Sequence, residues 1–330
     1  MSRPRVVSGM RPTGKLHLGH LVGALHNWVE LQERYDCFYF VADWHAMTSE
    51  YADTSAITAN ALENVTDWLA AGVDPDRSTV FVQSLVPEHA ELHLLLSMVV
   101  PIPWLERVPT YKEQQAQLSD RDLSTLGFLG YPLLQTADIA IYDGQFVPVG
   151  DDQVPHLELS REVIRRFGQF YGPALVEPQP LLTRVSRLPG LDNRKMSKSY
   201  RNTIDLSDDA DTVTKKVRQM YTDPKRVRAD IPGTVEGNPV FMYHDAFNSD
   251  RAEVEDLKTR YRAGTVGDVE VKTKLARALN DSLAPFRERR RDVLAKPERV
   301  REIAIEGSRR ARAVAQVTME RVRRAVNLAY

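Results

Sequence analysis

Hydrophobic and polar positions change period several times along the first half of the chain. RVVSG (5–9) is short, apolar and β-branched, the pattern of a strand. Between residues 17 and 34, Leu18, Leu21, Val22, Leu25, Trp28 and Val29 recur at three- and four-residue spacings, which predicts a helix. CFYFVAD (37–43) is an apolar run of the kind found in a strand buried on both faces. Ile57, Leu62, Val65 and Leu69 predict another helix, closed by Gly72. STVFVQS (78–84) and FVPVG (146–150) are further strand candidates, the latter with Val147 and Val149 on one face. This β-α-β-α-β order predicts an α/β fold, a Rossmann-like doubly wound parallel sheet.

Beyond Tyr200 the strand signals fade. SDDADTVTKKVRQMY predicts a helix with Ser207 as its N-cap and acidic residues in its first turn. Leu275, Leu279 and Phe286 form one helical stripe, which Pro285 is expected to bend or break. RARAVAQVTMERVRRAVNLAY is again helical in pattern. The expected organisation is an α/β domain at residues 1–205 and a C-terminal α-helical domain at 206–330. The length of 330 residues, more than one core usually organises, agrees with two domains.

Composition adds exclusions. Apolar residues make up 42% and charged residues 27%, ordinary for a globular protein. No apolar run is long enough to span a bilayer, and Arg3, Pro4 and Arg5 are not followed by a signal-peptide core, so the expectation is a cytoplasmic chain with no membrane partner. Cys37 is the single cysteine, which excludes an internal disulfide and a cysteine-based metal or iron–sulfur site. The net charge of −1 hides an asymmetry: residues 271–330 carry 16 basic and 7 acidic side chains, densest in RERRR (287–291) and RRAR (309–312). Such a run is either a solvated helical surface or a footprint for a polyanion such as RNA.

Two stretches carry candidate chemistry. GMRPTGKLHLGH (9–20) places glycines and two histidines where the first strand hands over to the first helix. His17 and His20 share a helix face, but no nearby Cys, Asp or Glu completes a metal site. Bare backbone and helix N–H groups favour a phosphate, while a tightened turn with surface histidines is the alternative. RKMSKS (194–199) is a cationic loop whose lysines suit phosphate, or else an ordinary solvated loop.

Together, HLGH and KMSKS are the paired hallmark of class I aminoacyl-tRNA synthetases. With PTG, FVADWHAMT, LERVPTYKE, YPLLQTADIAIY, GDDQ and the C-terminal RARAVAQVTMERVR, the whole chain resembles the bacterial-type tryptophanyl-tRNA synthetases. The resemblance implies ATP-dependent activation of L-tryptophan to its adenylate, with Mg²⁺ accompanying ATP, then transfer to tRNA(Trp). It implies a homodimer that uses its basic helical domain on the tRNA. It assigns ATP to Arg11, Thr13, Gly14, His17, Gly19, His20, Lys112, Gly150, Asp152, Lys195, Met196, Ser197, Lys198 and Ser199. Lys195, Lys198, His17 and His20 are the catalytic set, the lysines neutralising charge that grows on pyrophosphate. Tryptophan falls to Gly9, His45, Tyr131, Gln135, Asp138, Val147, Val149 and Gln153, with Asp138 accepting the indole N–H and Tyr131 and Gln153 holding the α-ammonium. On a helix, Tyr131, Gln135 and Asp138 lie on one side. No residue is assigned to a protein-held metal. Some members carry an iron–sulfur cluster; Asn238, Tyr261, Asp268 and Val271 stand at those positions here, so none is expected. Two readings remain beside this one: a tyrosyl-tRNA synthetase, which shares HIGH, KMSKS and a Tyr-x₃-Gln-x₂-Asp helix, and a non-catalytic nucleotide- or RNA-binding paralogue.

Overall fold

The computed structural model describes residues 3–108, 122–150, 154–182, 188–197 and 200–330. In chain order its elements begin with β1 (Arg5–Met10), α1 (Leu18–His20), a π-helical turn (Leu21–Leu25), α2 (His26–Leu31), β2 (Asp36–Val41), α3 (Asp43–Glu50), α4 (Ile57–Ala71) and β3 (Ser78–Val82). There follow α5 (Glu88–Ser97), α6 (Ile102–Glu106), α7 (Leu126–Leu129), α8 (Tyr131–Ala140), β4 (Phe146–Val149), α9 (Val154–Tyr171) and β5 (Gln179–Leu182). The remainder is helical: α10 (Ala210–Arg218), α11 (Pro239–Phe247), α12 (Arg251–Ala263), α13 (Asp268–Leu294) and α14 (Pro297–Ala325).

The chain divides into two compact units, Met1–Gly14 with Trp28–Arg184 and Lys296–Tyr330, and Lys15–Asn27 with Val185–Ala295. The expected boundary at residue 205 therefore falls inside the second unit, and the C-terminal segment from Lys296 groups with the first.

The first unit holds a parallel five-stranded sheet of order β3-β2-β1-β4-β5, the doubly wound arrangement expected. The strand order reverses between β1 and β4, and ligands in such sheets bind beyond the carboxyl ends of the strands at that point. In-register pairs from Arg5↔Asp36 to Met10↔Val41 set the ends of β1 and β2 level. Phe38, Phe40, Phe81 and Tyr142 pack in the core between sheet and helices. β5 (QPLL) gave no strand signal: it is a partly exposed edge whose Pro180 cannot donate to the ladder, and it lacks β-branched residues. The opposite edge, β3, is covered by α14. Gly307 brings helix backbone so close that an added Cβ would lie 1.8 Å from the Val80 carbonyl oxygen, and Val82 N–H donates to Ser308 Oγ at 3.2 Å. A buried edge thereby loses an unpaired donor.

Part of the basic C-terminal run is spent within this unit. Arg310 donates to the Pro75 carbonyl at 2.8 Å, Arg312 pairs with the buried Glu88 at 2.8 Å, Arg323 pairs with Glu91, and Arg321 with Asp143. RRAR is thus neither a bare solvated surface nor wholly an RNA footprint.

In the second unit α10 begins at Asp209, whose carboxylate accepts from Thr212 N–H at 2.7 Å; the expected cap, Ser207, lies two residues earlier. Asp209 wins because the backbone turns extended there, the geometry that aims a side-chain oxygen at the third N–H onward. α13 runs through Pro285 for 27 residues, against the expected break. The missing hydrogen bond and ring clash cost about 3 kcal/mol, and four buried side chains, Leu275, Leu279, Leu283 and Phe286, offset that at roughly 1.5–3 kcal/mol each. Asn238, Tyr261 and Asp268 do come together: Tyr261 donates to Asp268 at 2.9 Å, with the Arg226 guanidinium 4.0 Å over the Tyr261 ring. None of them, nor Val271, offers a thiolate, so this polar cluster does not fit an iron–sulfur group.

Candidate functional site

A cleft of about 360 Å³ opens in the first unit, within the range of small-molecule sites. β1 supplies Val7, Ser8 and Gly9, the β4 strand supplies Val147, Pro148 and Val149, α3 supplies His45 and Thr48, and α8 supplies Tyr131, Gln135, Asp138 and Ile139. Seven of the eight residues expected around tryptophan line it together: Gly9, His45, Tyr131, Gln135, Asp138, Val147 and Val149. Gln153 lies outside the described residues, as do Lys112, Asp152, Lys198 and Ser199. The i, i+4, i+7 spacing puts Tyr131, Gln135 and Asp138 on one face of α8, and burial of the opposite face by Leu133, Thr136, Ala137 and Ala140 holds it there.

Gly9 has a steric reason to be glycine. A Cβ there would stand 2.4–2.8 Å from the Phe40 ring, so only bare backbone lets Phe40 wall the cleft. At the end of the PTG turn, Thr13 N–H donates to the Arg11 carbonyl at 2.9 Å and Gly14 takes a φ of +100°, which side-chain-bearing residues avoid. Arg11 itself joins the cleft wall.

Asp138 is 1% exposed and is the charge centre of the cleft. Its Oδ1 accepts from Gln83 Nε2 at 2.7 Å and meets His89 Nδ1 at 2.6 Å, while Oδ2 meets His45 Nε2 at 2.7 Å. Burial pushes the carboxyl up, but His45 and His89 together outweigh it and hold the group below the usual carboxylate range. It is therefore an ionised acceptor in a cleft of mixed walls, where Val7, Phe40, Val147 and Val149 stand with Arg11, Thr48, Tyr131 and Gln135. Sequence reasoning named Asp138 and His45 but missed Gln83 and His89 behind them, and His156, Phe128, Thr48 and Phe40 on the walls. The available signal for His89 was weak: EHAELHLLL (88–96) places it at i, i+3 from Leu92, on the apolar stripe that also carries Leu96.

The second unit gathers the two signature stretches. Leu18 N–H donates to the Ile204 carbonyl at 3.0 Å and Leu206 N–H to that of Leu16 at 2.8 Å, an antiparallel bridge centred on His17 and Asp205. HLGH is thus stitched to the strand of chain that leaves KMSKS. Met196 Sδ lies 3.0 Å from where a Gly19 Cβ would be, so the two motifs meet at bare backbone. His17 N–H donates to His20 Nδ1 at 3.1 Å and the two rings stand 3.9 Å apart. Asn202 shapes the loop: its Oδ1 accepts from Ser197 N–H at 2.9 Å and its amide donates to Asp192 at 2.8 Å and the Lys195 carbonyl at 3.1 Å. Desolvation pushes Asp192 up, but the Asn202 amide and Arg194 outweigh it and bring its carboxyl down to about 2. Of the expected ATP residues, His17, Gly19, His20, Lys195, Met196 and Ser197 lie in this unit, and Arg11, Thr13, Gly14 and Gly150 in the first. Among the described residues no group of three His, Cys, Asp or Glu side chains is arranged to hold a metal.

Residues 1–284 match the family described as tRNA synthetases class I (W and Y). A tryptophan–tRNA ligase of Thermotoga maritima is 50% identical over 99% of this chain and 100% of its own length. One from Treponema pallidum is 48% identical over 98% of this chain and 97% of its own. The crystal structure of a tryptophanyl-tRNA synthetase from Campylobacter jejuni, complexed with ADP and tryptophan, superposes with a TM-score of 0.88 at 33% identity, covering 98% of this chain and 100% of that one.

Proposed function

The chain belongs to the class I tRNA synthetases of the tryptophan and tyrosine branch, and from that premise we propose how its cleft works. It activates L-tryptophan with ATP and charges tRNA(Trp). The observation that carries this reading is the buried, ionised Asp138 in a cleft walled in part by Val147 and Val149. Indole N–H is donor-only and needs an acceptor when buried. A site built around such a partner rejects a side chain lacking the N–H by about 10⁴–10⁵. Tyr131 on the same helix face, with Gln153, holds the α-ammonium and so orients the carboxylate toward the α-phosphorus of ATP.

ATP enters as its magnesium salt, magnesium being substrate rather than a resident ion. His17, Gly19 and His20 with Lys195 and Met196 receive the phosphates and adenine, as the meeting of HLGH with KMSKS in one unit supports. The tryptophan carboxylate attacks the α-phosphorus in line, and pyrophosphate leaves while Lys195 and Lys198 neutralise its growing charge. The terminal ribose hydroxyl of the tRNA then attacks the activated carbonyl, releasing AMP. Positioning and charge neutralisation supply the rate, with no side-chain nucleophile.

Residues 1–205 serve catalysis and the helices beyond them serve the tRNA, with α14 also bracing the sheet edge. Two chains associate as a homodimer; exposed Leu94 on α5, Met98 at its C-terminal end and Ile102 opening α6 supply an apolar surface for it. No described helix is long and apolar enough to cross a membrane, which fits action in the cytoplasm.

The test is amino-acid-dependent exchange of pyrophosphate into ATP across all twenty amino acids. Exchange with tryptophan, weakened at least tenfold in Asp138→Asn, is expected. Exchange with tyrosine instead, or with nothing, overturns the reading.

A further inference from the structure

Behind the cleft the first unit buries a second layer of polar side chains. Neither His89 on α5 nor Gln83, just after β3, has any exposed surface. Their donor and acceptor roles follow by elimination. Trp44 N–H donates to Gln83 Oε1 at 3.1 Å, so the amide nitrogen faces Asp138 Oδ1 at 2.7 Å. An ionised Asp138 only accepts, so His89 Nδ1 carries the proton of the 2.6 Å bond to Oδ1. The other ring nitrogen of His89, Nε2, meets the Tyr142 hydroxyl at 2.6 Å. Burial, with the Asp138 and Glu88 charges, pushes the Tyr142 phenol up and keeps its proton in place. Oδ1 is thereby saturated by two donors. Oδ2 has one donor, His45, itself a wall of the cleft, and one lone pair left.

We propose that His89 and Gln83, with Tyr142 behind His89, are positioning residues for amino-acid selection: the first two fill Oδ1 and leave Asp138 one acceptor site, at Oδ2, for a ring N–H. This rests on the cleft being the tryptophan site and extends it to side chains that never touch the substrate. A ring carrying an acceptor in place of the N–H meets a carboxylate that cannot turn or take up a proton to accommodate it. Weakening the layer frees Oδ1 and blurs that distinction.

The experiment compares tryptophan with 3-(benzothiophen-3-yl)alanine, in which sulfur replaces the ring N–H, by pyrophosphate exchange on the full-length protein. His89→Leu keeps bulk without a donor, His89→Asn restores a donor toward Oδ1, and Tyr142→Phe removes the outer bond. His89→Leu is expected to raise KM for tryptophan about tenfold or more, the equivalent of one hydrogen bond to a charged group. The preference over the sulfur analogue narrows by the same factor, while kcat and KM for ATP stay within about twofold. His89→Asn recovers most of the preference, and Tyr142→Phe moves in the direction of His89→Leu. A folded His89→Leu protein with unchanged preference, or a loss falling equally on kcat and KM for ATP, overturns the proposal. Should His89→Leu fail to fold by circular dichroism, unchanged preference in both Tyr142→Phe and Gln83→Met overturns it instead. Wild-type protein without tryptophan-dependent exchange overturns the underlying reading, a result visible before any variant is made.

Discussion

At the scale of single residues, the cleft depends on what is absent as much as on what is present. Gly9→Ala drives a methyl group into the buried Phe40 ring, which stacks on Phe81 at 5.4 Å and lines the cleft. The expected outcome is a loss of about 1–3 kcal/mol of stability by thermal unfolding and a several-fold rise in KM for tryptophan. An unchanged KM would place Gly9 outside the tryptophan site. Tyr131, Gln135 and Asp138 were legible because helical spacing puts them on one face and the family resemblance picks that face out. His89 and Gln83 were not, because their partners lie 49 and 55 residues away along the chain. The reach of a hydrogen bond across a core leaves no local periodicity to read.

Elements tell a similar story through packing. α14 and β3 approach as closely as Gly307 allows, so Gly307→Ala must separate helix from strand. Its expected cost is about 1–3 kcal/mol, read as a lower midpoint of chemical denaturation. In the second unit, Glu253 on α12 accepts from Asn248, and from Lys274 and Arg277 on α13. These partners, Asn248 foremost, bring it from 4.5 to about 2. A depressed carboxylate stabilises fully above its unfolded value and loses that contribution as pH falls through the folded one. Glu253→Gln is therefore expected to reduce stability near neutrality and to flatten acid unfolding between about pH 4.5 and 2, followed by circular dichroism. Parallel slopes in the two proteins would refute the pairing. The unbroken α13 carries the same lesson: Pro285 alone predicts a break, whereas the buried stripe of Leu275, Leu279, Leu283 and Phe286 decides otherwise.

For the whole molecule the basic C-terminal segment is the informative case. Charge counting treats all 16 basic residues of 271–330 alike. Arg312, however, pairs with Glu88, whose side chain is only 6% exposed, so Arg312→Ala strands a buried carboxylate beside Gln316. A loss of about 1–3 kcal/mol in unfolding is expected, with little change in the salt dependence of tRNA binding. A slope reduced by about one instead would mean that Arg312 is a phosphate contact. The sequence by itself determined the alternation of strands and helices and the motif pair, since period, turn chemistry and short spacings are local properties. It also determined that Tyr131, Gln135 and Asp138 share one face of α8, a consequence of the helical repeat. Only the tertiary structure decided which arginines are spent inside the protein, that the segment from Lys296 belongs with the sheet, and that Asp138 is held by His89 and Gln83. Those outcomes depend on which surfaces exclude water together, and residues distant in sequence meet there without a pattern in either stretch to announce it.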